Sequence, residues 1–397
     1  MSRILHSLNL DTVGGVESIF ADYLTYAGSG VHEHHLMILN RRCHSFFKKA
    51  VLSHMKSVFH ARYYGPFRIS GSLRVPRATN YAAKLKPDIL MVYNTPDNAC
   101  AWTAADHSRT CIYYERGAAW WASARDDAVM RHFQRTNRFF CNSHAAKRLL
   151  NLRFAIPESL CDVIYNPMRF ENRHPRPKRE PGLFRIGMAG RLIPAKGMII
   201  GIHAMVELLK RDPNFEMVIA GTGPELEMLE TMAQNLGVSH AVRFLGVMKE
   251  MSEFYHSLDV FVCPSLREPL GNVAIEANGS GCPVICTQVD GLPEAIIPDV
   301  TGLCLPGTLI LSDYRKLGVC SSSLPHHVYD PVRDDVVQPR ALDPVTLAEA
   351  IWQLASDSKK RLIMSEAARH SVKERFSLEG YVKRLHDLIE NASNQSS

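Results

Sequence analysis

Residues 259–294 read DVFVCPSLREPLGNVAIEANGSGCPVICTQVDGLPE. The apolar run Val260-Phe261-Val262 predicts a strand ending in Pro264-Ser265. A second run, Val284-Ile285-Cys286, follows the small-residue turn Gly279-Ser280-Gly281. Between them the pattern predicts a helix started by Gly271-Asn272, because asparagine is a good N-cap and glycine lets the backbone turn tightly. Val273, Ala274 and Ala277 form its expected buried stripe. Strand, loop, helix, strand is a unit of a parallel α/β sheet. Glu268 at the tip of the first strand and Glu276 within the helix can then face one crevice at the carboxyl end of the sheet, where open α/β folds bind ligands. The helix N-terminus between them aims backbone N–H groups at an anion, so two acceptors for sugar hydroxyls flank a cradle for phosphate. The same residues also suit a solvated helix with two ordinary surface glutamates, and the rest of the chain has to choose.

The 397 residues accommodate two or three domains of about 150 residues each. A mean hydropathy of −0.11 leaves ample apolar residue for large cores. No apolar run approaches the roughly 20 residues of a transmembrane helix, and the apolar part of the N-terminus is too short for a signal peptide. The ten cysteines form no Cys-x-x-Cys pair, and Cys111, Cys141, Cys263 and Cys286 sit in strand-like runs. That is the usage of reduced, buried cysteines in a cytoplasmic protein. Their spacing from histidines gives no zinc ligand set, and no metal is expected.

The net charge of +6 is unevenly spread: residues 34–87 hold eleven Lys or Arg and no Asp or Glu. Phe46, Phe47, Phe59, Tyr63, Tyr64 and Phe67 are interleaved with them. Such a segment suits an anionic membrane surface, with a peripheral location on the inner face of the cell membrane, or an acidic acceptor. A plain solvated face is the alternative. Nucleic acid is not expected as a partner, because no nucleic-acid-binding module is visible.

Along the chain, residues 3–9 predict a first strand that runs into Gly14-Gly15-Val16-Glu17 and an amphipathic helix. Further strands are predicted at 35–39, 88–93, 110–114, 138–142 and 162–165, separated by helices or loops, the alternation of a doubly wound α/β domain. One of them ends in Glu115-Arg116-Gly117, and Asn142-Ser143-His144 caps the helix after another. The expected first domain spans 1–168, followed by a polar, Pro-rich linker at 169–183. A second alternation, 184–376, has strands ending in Gly190-Arg191-Leu192-Ile193-Pro194-Ala195-Lys196-Gly197, in Gly221-Thr222-Gly223-Pro224 and at Gly246. Strand ends made of glycine are expected where backbone must approach a ligand. Residues 307–340 break the rhythm and read as an irregular insertion, with His326-His327 incidental rather than metal-binding. A last helix from Leu378 to Ile389, within 377–397, is expected to pack back on the N-terminal domain before a polar tail.

Assembled, these residues resemble the family 4 retaining glycosyltransferases of the GT-B fold. The Gly190–Gly197 stretch resembles that family's diphosphate-binding loop, Gly221-Thr222-Gly223-Pro224 its next strand end, and Glu268 and Glu276 its glutamate pair with seven residues between. Asp290-Gly291-Leu292-Pro293-Glu294 resembles the segment that follows. In the first half, Gly14-Gly15-Val16-Glu17 matches the family's glycine loop and Asn166-Pro167 its domain-closing pair. The resemblance implies two Rossmann-like domains facing a cleft, a nucleotide-sugar donor as co-substrate and a glycan acceptor, with no metal or other cofactor. It implies that Arg191 and Lys196 hold the donor diphosphate, that Gly15, Gly190, Gly223 and the N–H groups of Leu270, Gly271 and Asn272 also meet the donor, and that Glu268 binds the transferred sugar and Glu276 the ribose. No protein nucleophile is expected, since the leaving phosphate serves as base. Where many members carry His-Gly, this chain has Arg116-Gly117 after Glu115, and either residue is a candidate contact for sugar or acceptor. A nucleotide-sugar epimerase, a glucan synthase and a non-catalytic nucleotide-sugar-binding protein are the rival readings.

Overall fold

A computed structural model describes residues 2–12, 14–27, 31–40, 43–168, 182–319 and 324–395. The chain divides into two compact units, Met1–Pro167 with Leu378–Ser397, and Met168–Ser377. Most of the expected linker, and Arg41 and Arg42 of the basic segment, lie outside the described residues.

The first unit runs β1 (Arg3–Leu8), α1 (Gly15–Ala27), β2 (Glu33–Ile38), α2 (Ser45–Leu52), β3 (Ser57–His60), β4 (Tyr63–Tyr64), β5 (Phe67–Arg68), α3 (Gly71–Leu85), β6 (Ile89–Tyr93), β7 (Thr110–Glu115), α4 (Asp127–Gln134), β8 (Arg138–Cys141), α5 (His144–Phe154) and β9 (Cys161–Val163). Seven strands form a parallel sheet in the order β3-β2-β1-β6-β7-β8-β9, and β4 and β5 make a separate hairpin. The central strand β6 is a continuous apolar run with all five residues buried, as expected where helices cover both faces of such a sheet. The Ser143 hydroxyl accepts from Ala146 N–H at 3.0 Å and starts α5 as its N-cap. β3 escapes sequence reading because it is a four-residue edge strand with no buried face.

The second unit continues with β10 (Phe184–Ala189), α6 (Met198–Leu209), β11 (Phe215–Ala220), α7 (Leu226–Asn235), β12 (Val242–Gly246), α8 (Met251–His256), β13 (Val260–Cys263), α9 (Asn272–Gly279), β14 (Val284–Thr287), α10 (Leu292–Ala295), β15 (Gly302–Leu305), α11 (Leu311–Lys316), β16 (Val328–Asp330), β17 (Asp335–Val337), α12 (Pro344–Ser356) and α13 (Ser358–Arg375). Its six-stranded parallel sheet has the order β12-β11-β10-β13-β14-β15.

Three expectations need correction. The 307–340 segment is not irregular throughout: it holds α11 and the antiparallel hairpin β16–β17, with residues 320–323 outside the described set. Its order comes from buried anchors, Tyr314 at 0% and Val328 at 2% exposure, which too short a stretch cannot reveal as periodicity. The last helix, α14 (Leu378–Gln395), extends through the expected polar tail and belongs to the first unit. There it contributes Tyr381, Val382, Leu385, Leu388, Ile389 and Ala392 to the core. Finally, α9 is capped by Gly271 in the left-handed region (φ 96°) rather than by Asn272, and its buried stripe is Ala274, Ile275, Ala277 and Asn278, with Val273 half-buried.

In each sheet the strand order reverses once, between β1 and β6 and between β10 and β13. The crevice outside the carboxyl ends of strands at such a reversal is where open α/β sheets receive ligands.

Candidate active site

In the second unit the β10/β13 reversal brings together the loops that hold the expected site residues. After β10 the chain turns through Pro194–Lys196 into Gly197, whose φ is 69°. A Cβ on Gly197 would sit 2.3 Å from the Pro264 carbonyl oxygen, so only glycine allows the loop after β10 to lie on the loop after β13. Leu266 N–H donates to Ala195 C=O at 2.9 Å, and the Tyr314 hydroxyl of α11 donates to Pro194 C=O at 2.8 Å. This seam brings Lys196 and Glu268 together: Lys196 Nζ donates to Glu268 Oε2 in a largely buried ion pair, the two side chains being 21% and 13% exposed. Burial pulls the Lys196 ammonium down, but the Glu268 carboxylate outweighs it and holds the pKa above the ordinary lysine value. Arg191 also bears on this ammonium as a like charge. Its own side chain is exposed and, among the described residues, makes no hydrogen bond or ion pair.

Gly190 follows β10, and the loop 221–223 packs against it. A Cβ on Gly223 would meet the Leu192 carbonyl oxygen at 2.4 Å, so this glycine is required by loop–loop packing. Glu225 on the same loop is 6% exposed, and burial pushes its carboxyl up to about 7.

The loop from Glu268 to Gly271 leads into α9. Among the described residues the N–H groups of Leu270 and Gly271 donate to no other group. They stand at the N-terminal end of α9, the positive end of its dipole, which favours an anion. Glu276 is held by a residue that sequence reading missed: Tyr255 of α8 donates its hydroxyl to Glu276 Oε2 at 2.8 Å. Desolvation raises the Glu276 pKa, and the Tyr255 hydroxyl opposes the rise. Asp290 was also missed as a supporting group; its carboxylate accepts Glu268 N–H at 2.9 Å. Tyr255 is a tertiary partner with no local signal in the sequence, whereas Asp290 opens the 290–294 segment noted for its family resemblance, where no role was assigned to it.

In the first unit, Gly15 opens α1 beside the β1/β6 reversal. Arg116 lies at the end of β7, 8% exposed, with its guanidinium 4.6 Å over the Tyr114 ring. It donates to Asn166 Oδ1 at 2.8 Å and to the Val16 carbonyl at 3.4 Å, which ties it to the glycine loop. Glu115 points elsewhere. It is fully buried and accepts from the N–H groups of Gly117 (2.5 Å) and Ala119 (3.1 Å) and from the Tyr113 hydroxyl (3.1 Å). Its carboxylate caps the turn after β7, so a sugar contact through it would break that cap.

Two family models match the chain: Glycosyltransferase Family 4 over residues 13–171 and Glycosyl transferases group 1 over residues 169–310. The chain belongs to the family 4 glycosyltransferases. Its similarity to a D-inositol 3-phosphate glycosyltransferase of Corynebacterium jeikeium is 33% identity over 54% of this chain and 46% of that protein. A GDP-mannose-dependent alpha-(1-6)-phosphatidylinositol monomannoside mannosyltransferase of Mycolicibacterium smegmatis is 38% identical over 30% of this chain and 33% of its own length. The matched stretches thus span less than half of these curated relatives. Anabaena HepE, solved in complex with UDP, superposes with a TM-score of 0.73 at 18% identity, covering 98% of this chain and 100% of HepE. That likeness gives the glycosyltransferase its GT-B fold.

Of the residues expected at the donor site, Gly190, Arg191, Lys196, Glu268, Leu270, Gly271, Asn272 and Glu276 of this glycosyltransferase all lie on loops or a helix at the carboxyl edge of the second sheet. Gly223 serves the packing of those loops. Among the described residues no group of three or more His, Cys, Asp or Glu side chains is arranged to hold a metal ion, and no helix is long and apolar enough to cross a membrane.

Proposed function

We propose that the protein is a retaining, metal-independent glycosyltransferase that moves a sugar from a nucleotide-sugar donor to a glycan acceptor, one that is lipid-linked or phosphorylated, as in lipopolysaccharide core synthesis at the cytoplasmic membrane face. The observation that carries this reading is Lys196 beside Glu268 at the β10/β13 reversal, with Arg191 and the N–H groups of Leu270 and Gly271 at hand. Arg191 grips the diphosphate through its planar fork and Lys196 as a point charge. Together they stabilise the charge that grows as the nucleotide leaves, the task a metal ion performs elsewhere. Glu268 accepts from hydroxyls of the transferred sugar, and Glu276 from the ribose. The acceptor hydroxyl attacks the anomeric carbon from the face the diphosphate leaves. The bond from that carbon to the phosphate oxygen breaks, and the leaving phosphate takes the hydroxyl proton.

Nucleotide release from a panel including UDP-glucose, UDP-galactose, UDP-N-acetylglucosamine and GDP-mannose, with and without glycan acceptors, tests the reading. Acceptor-dependent release that falls at least tenfold (about 1.4 kcal/mol) in Glu268→Ala is the expected result. Unchanged release in that variant would count against the site. Tyr255→Phe removes the hydroxyl donor from Glu276, and a hydrogen bond to a charged group contributes about 1.5–3 kcal/mol. It is therefore expected to weaken calorimetric binding of the nucleoside diphosphate about tenfold or more, with no comparable loss for inorganic pyrophosphate, which lacks the ribose.

The membrane part rests on the basic segment. Tyr64 and Phe67, at the turn of the β4–β5 hairpin, are 71% and 72% exposed, and Phe46 of α2 is 64% exposed. The Arg77 guanidinium stands 5.7 Å from the Tyr64 ring. Aromatic tips among unbalanced cations suit an anionic lipid interface. Cosedimentation with phosphatidylglycerol vesicles at low salt is expected, lost at high salt and reduced at least several-fold in Tyr64→Ser/Phe67→Ser. Equal binding to neutral vesicles would remove the electrostatic argument.

A further inference from the structure

We propose that Asp290 and the β16–β17 hairpin are a positioning device for Glu268, which makes the 324–337 stretch part of the sugar site's machinery. The inference rests on the assignment of Glu268 to the transferred sugar.

Asp290 is 1% exposed and adopts a left-handed backbone conformation with φ 49°. A non-glycine residue held there is strained unless its surroundings fix it, and here both carboxylate oxygens are engaged. Oδ2 accepts Glu268 N–H at 2.9 Å, and Oδ1 accepts Tyr329 N–H at 2.7 Å. The backbone repeats the link on each side: Asp290 N–H donates to Tyr329 C=O at 2.9 Å, and Gly291 N–H donates to Glu268 C=O at 3.2 Å. One carboxylate thus joins the hairpin to the peptide of the glutamate that faces Lys196. The hairpin is stiffened in turn, since the Tyr329 hydroxyl donates to Asp334 Oδ1 at 2.8 Å and Val328 is 2% exposed. Its C-terminal base is tied down by Ala341 N–H donating to Leu309 C=O at 2.8 Å. The route from Lys196 through Glu268 and Asp290 to Tyr329 is continuous in hydrogen bonds.

Such a strut matters because Lys196 pulls on Glu268. When a diphosphate takes over Lys196, the freed Glu268 must stay where a sugar hydroxyl will be, and a small misplacement of a reacting group has a large kinetic cost. Asp290 holds the Glu268 main chain independently of Lys196.

Asp290→Asn preserves shape but leaves an NH₂ facing one of the two N–H groups. At saturating donor this variant is expected to release nucleotide at least about tenfold more slowly, while UDP and GDP affinities change less than threefold, a split that general unfolding would not produce. In a Glu268→Gln background the same substitution should add less than twofold, because both act through one side chain. Full activity of Asp290→Asn, losses that multiply in the double variant, or parallel loss of nucleoside diphosphate binding would each overturn the proposal. Retained activity in Glu268→Gln alone would instead sink the assignment of Glu268 on which it rests. Tyr329→Phe gives a second route that leaves the core packing in place: amide exchange over residues 266–272 should quicken and the rate fall at least threefold. Wild-type exchange and rate in that variant would show that the hairpin is not coupled to Glu268.

Discussion

Lys196→Ala is expected to lower acceptor-dependent nucleotide release by about 10²–10³-fold, the effect of removing one preorganised donor from a developing anion. The substitution does two things that must be separated. It deletes the charge that would meet the diphosphate, and it strands Glu268, whose side chain is 13% exposed, without its cation. Breaking a buried pair from one side costs about 3–5 kcal/mol; here partial exposure and mobile solvent reduce that figure. The double variant Lys196→Met/Glu268→Gln removes both charges at nearly constant volume, so it should recover most of the lost stability. It should recover none of the rate. Denaturant midpoints measured beside initial rates distinguish the two contributions. A double variant that regained activity with stability would mean that neither charge is needed for the reaction and that Lys196→Ala fails only through the stranded Glu268. Lys196→Arg is a weaker rescue than charge alone suggests, because Gly197 and the Pro194–Lys196 turn place a compact ammonium rather than a broad fork against Glu268.

Acidification from pH 7.5 to pH 5 is expected to loosen the first unit while leaving the second as stable or more so. The first unit buries a run of histidines. His6 Nε2 lies 2.9 Å from His34 Nδ1, and His6 Nδ1 lies 3.0 Å from the Tyr93 hydroxyl. The His32 ring is 5.6 Å from His386 of α14, and among the described residues both His32 nitrogens and His386 Nε2 are buried without a hydrogen-bond partner. Burial, reinforced by the neighbouring His32, His386, His54 and His35, pulls His34 down to about 4. His6 lies well below the ordinary histidine value, again through burial first. His32 and His386 are lowered in the same direction, with Glu390 opposing.

At these histidines the unfolded state therefore binds more protons than the folded one between the ordinary histidine pKa, about 6.5, and the depressed values. Stability is fully present above that upper limit and is lost as pH falls. For His34 alone the loss is about 2 kcal/mol by pH 5. In the second unit Glu225, pushed up to about 7, has the opposite sign. It is a carboxyl that the folded state protonates more readily, so its contribution to stability increases as pH drops from about 7 towards the ordinary glutamate value. Hydrogen exchange at the two pH values, corrected for intrinsic rates, reads the units separately. Protection in β1, β2 and α14 should fall, and protection in β10, β11 and α7 should hold or rise. His32→Phe/His386→Phe should blunt the first effect. Uniform behaviour of both units would sink the prediction.

Much of this protein is legible in its sequence for reasons of local physics. Strands covered on both faces of a parallel sheet are largely apolar, so β6, β10, β11, β13 and β14 announce themselves. A backbone that must turn sharply or approach another chain segment needs glycine, so the loops at Gly190, Gly197, Gly221 and Gly271 do as well. Charge in such loops has few structural uses, and this drew attention to Arg191, Lys196, Glu268 and Glu276. The pairing of these groups was a matter for the tertiary structure. Lys196 meets Glu268 only because the loops after β10 and β13 are neighbours at a strand reversal, 72 residues apart in sequence. Tyr255 meets Glu276, and Asp290 meets both Glu268 and Tyr329, by the same kind of long-range contact. Glu115, a charged residue at a strand end like Arg191, turned inward to cap its own turn, since three nearby donors satisfied it at no distance. The hairpin β16–β17 has no periodic signature because burial of one or two side chains stabilises it. Composition and pattern determine which segments must fold and where ligand chemistry can sit; which charged group faces which is decided by packing, because that choice depends on desolvation and partners that no local stretch contains.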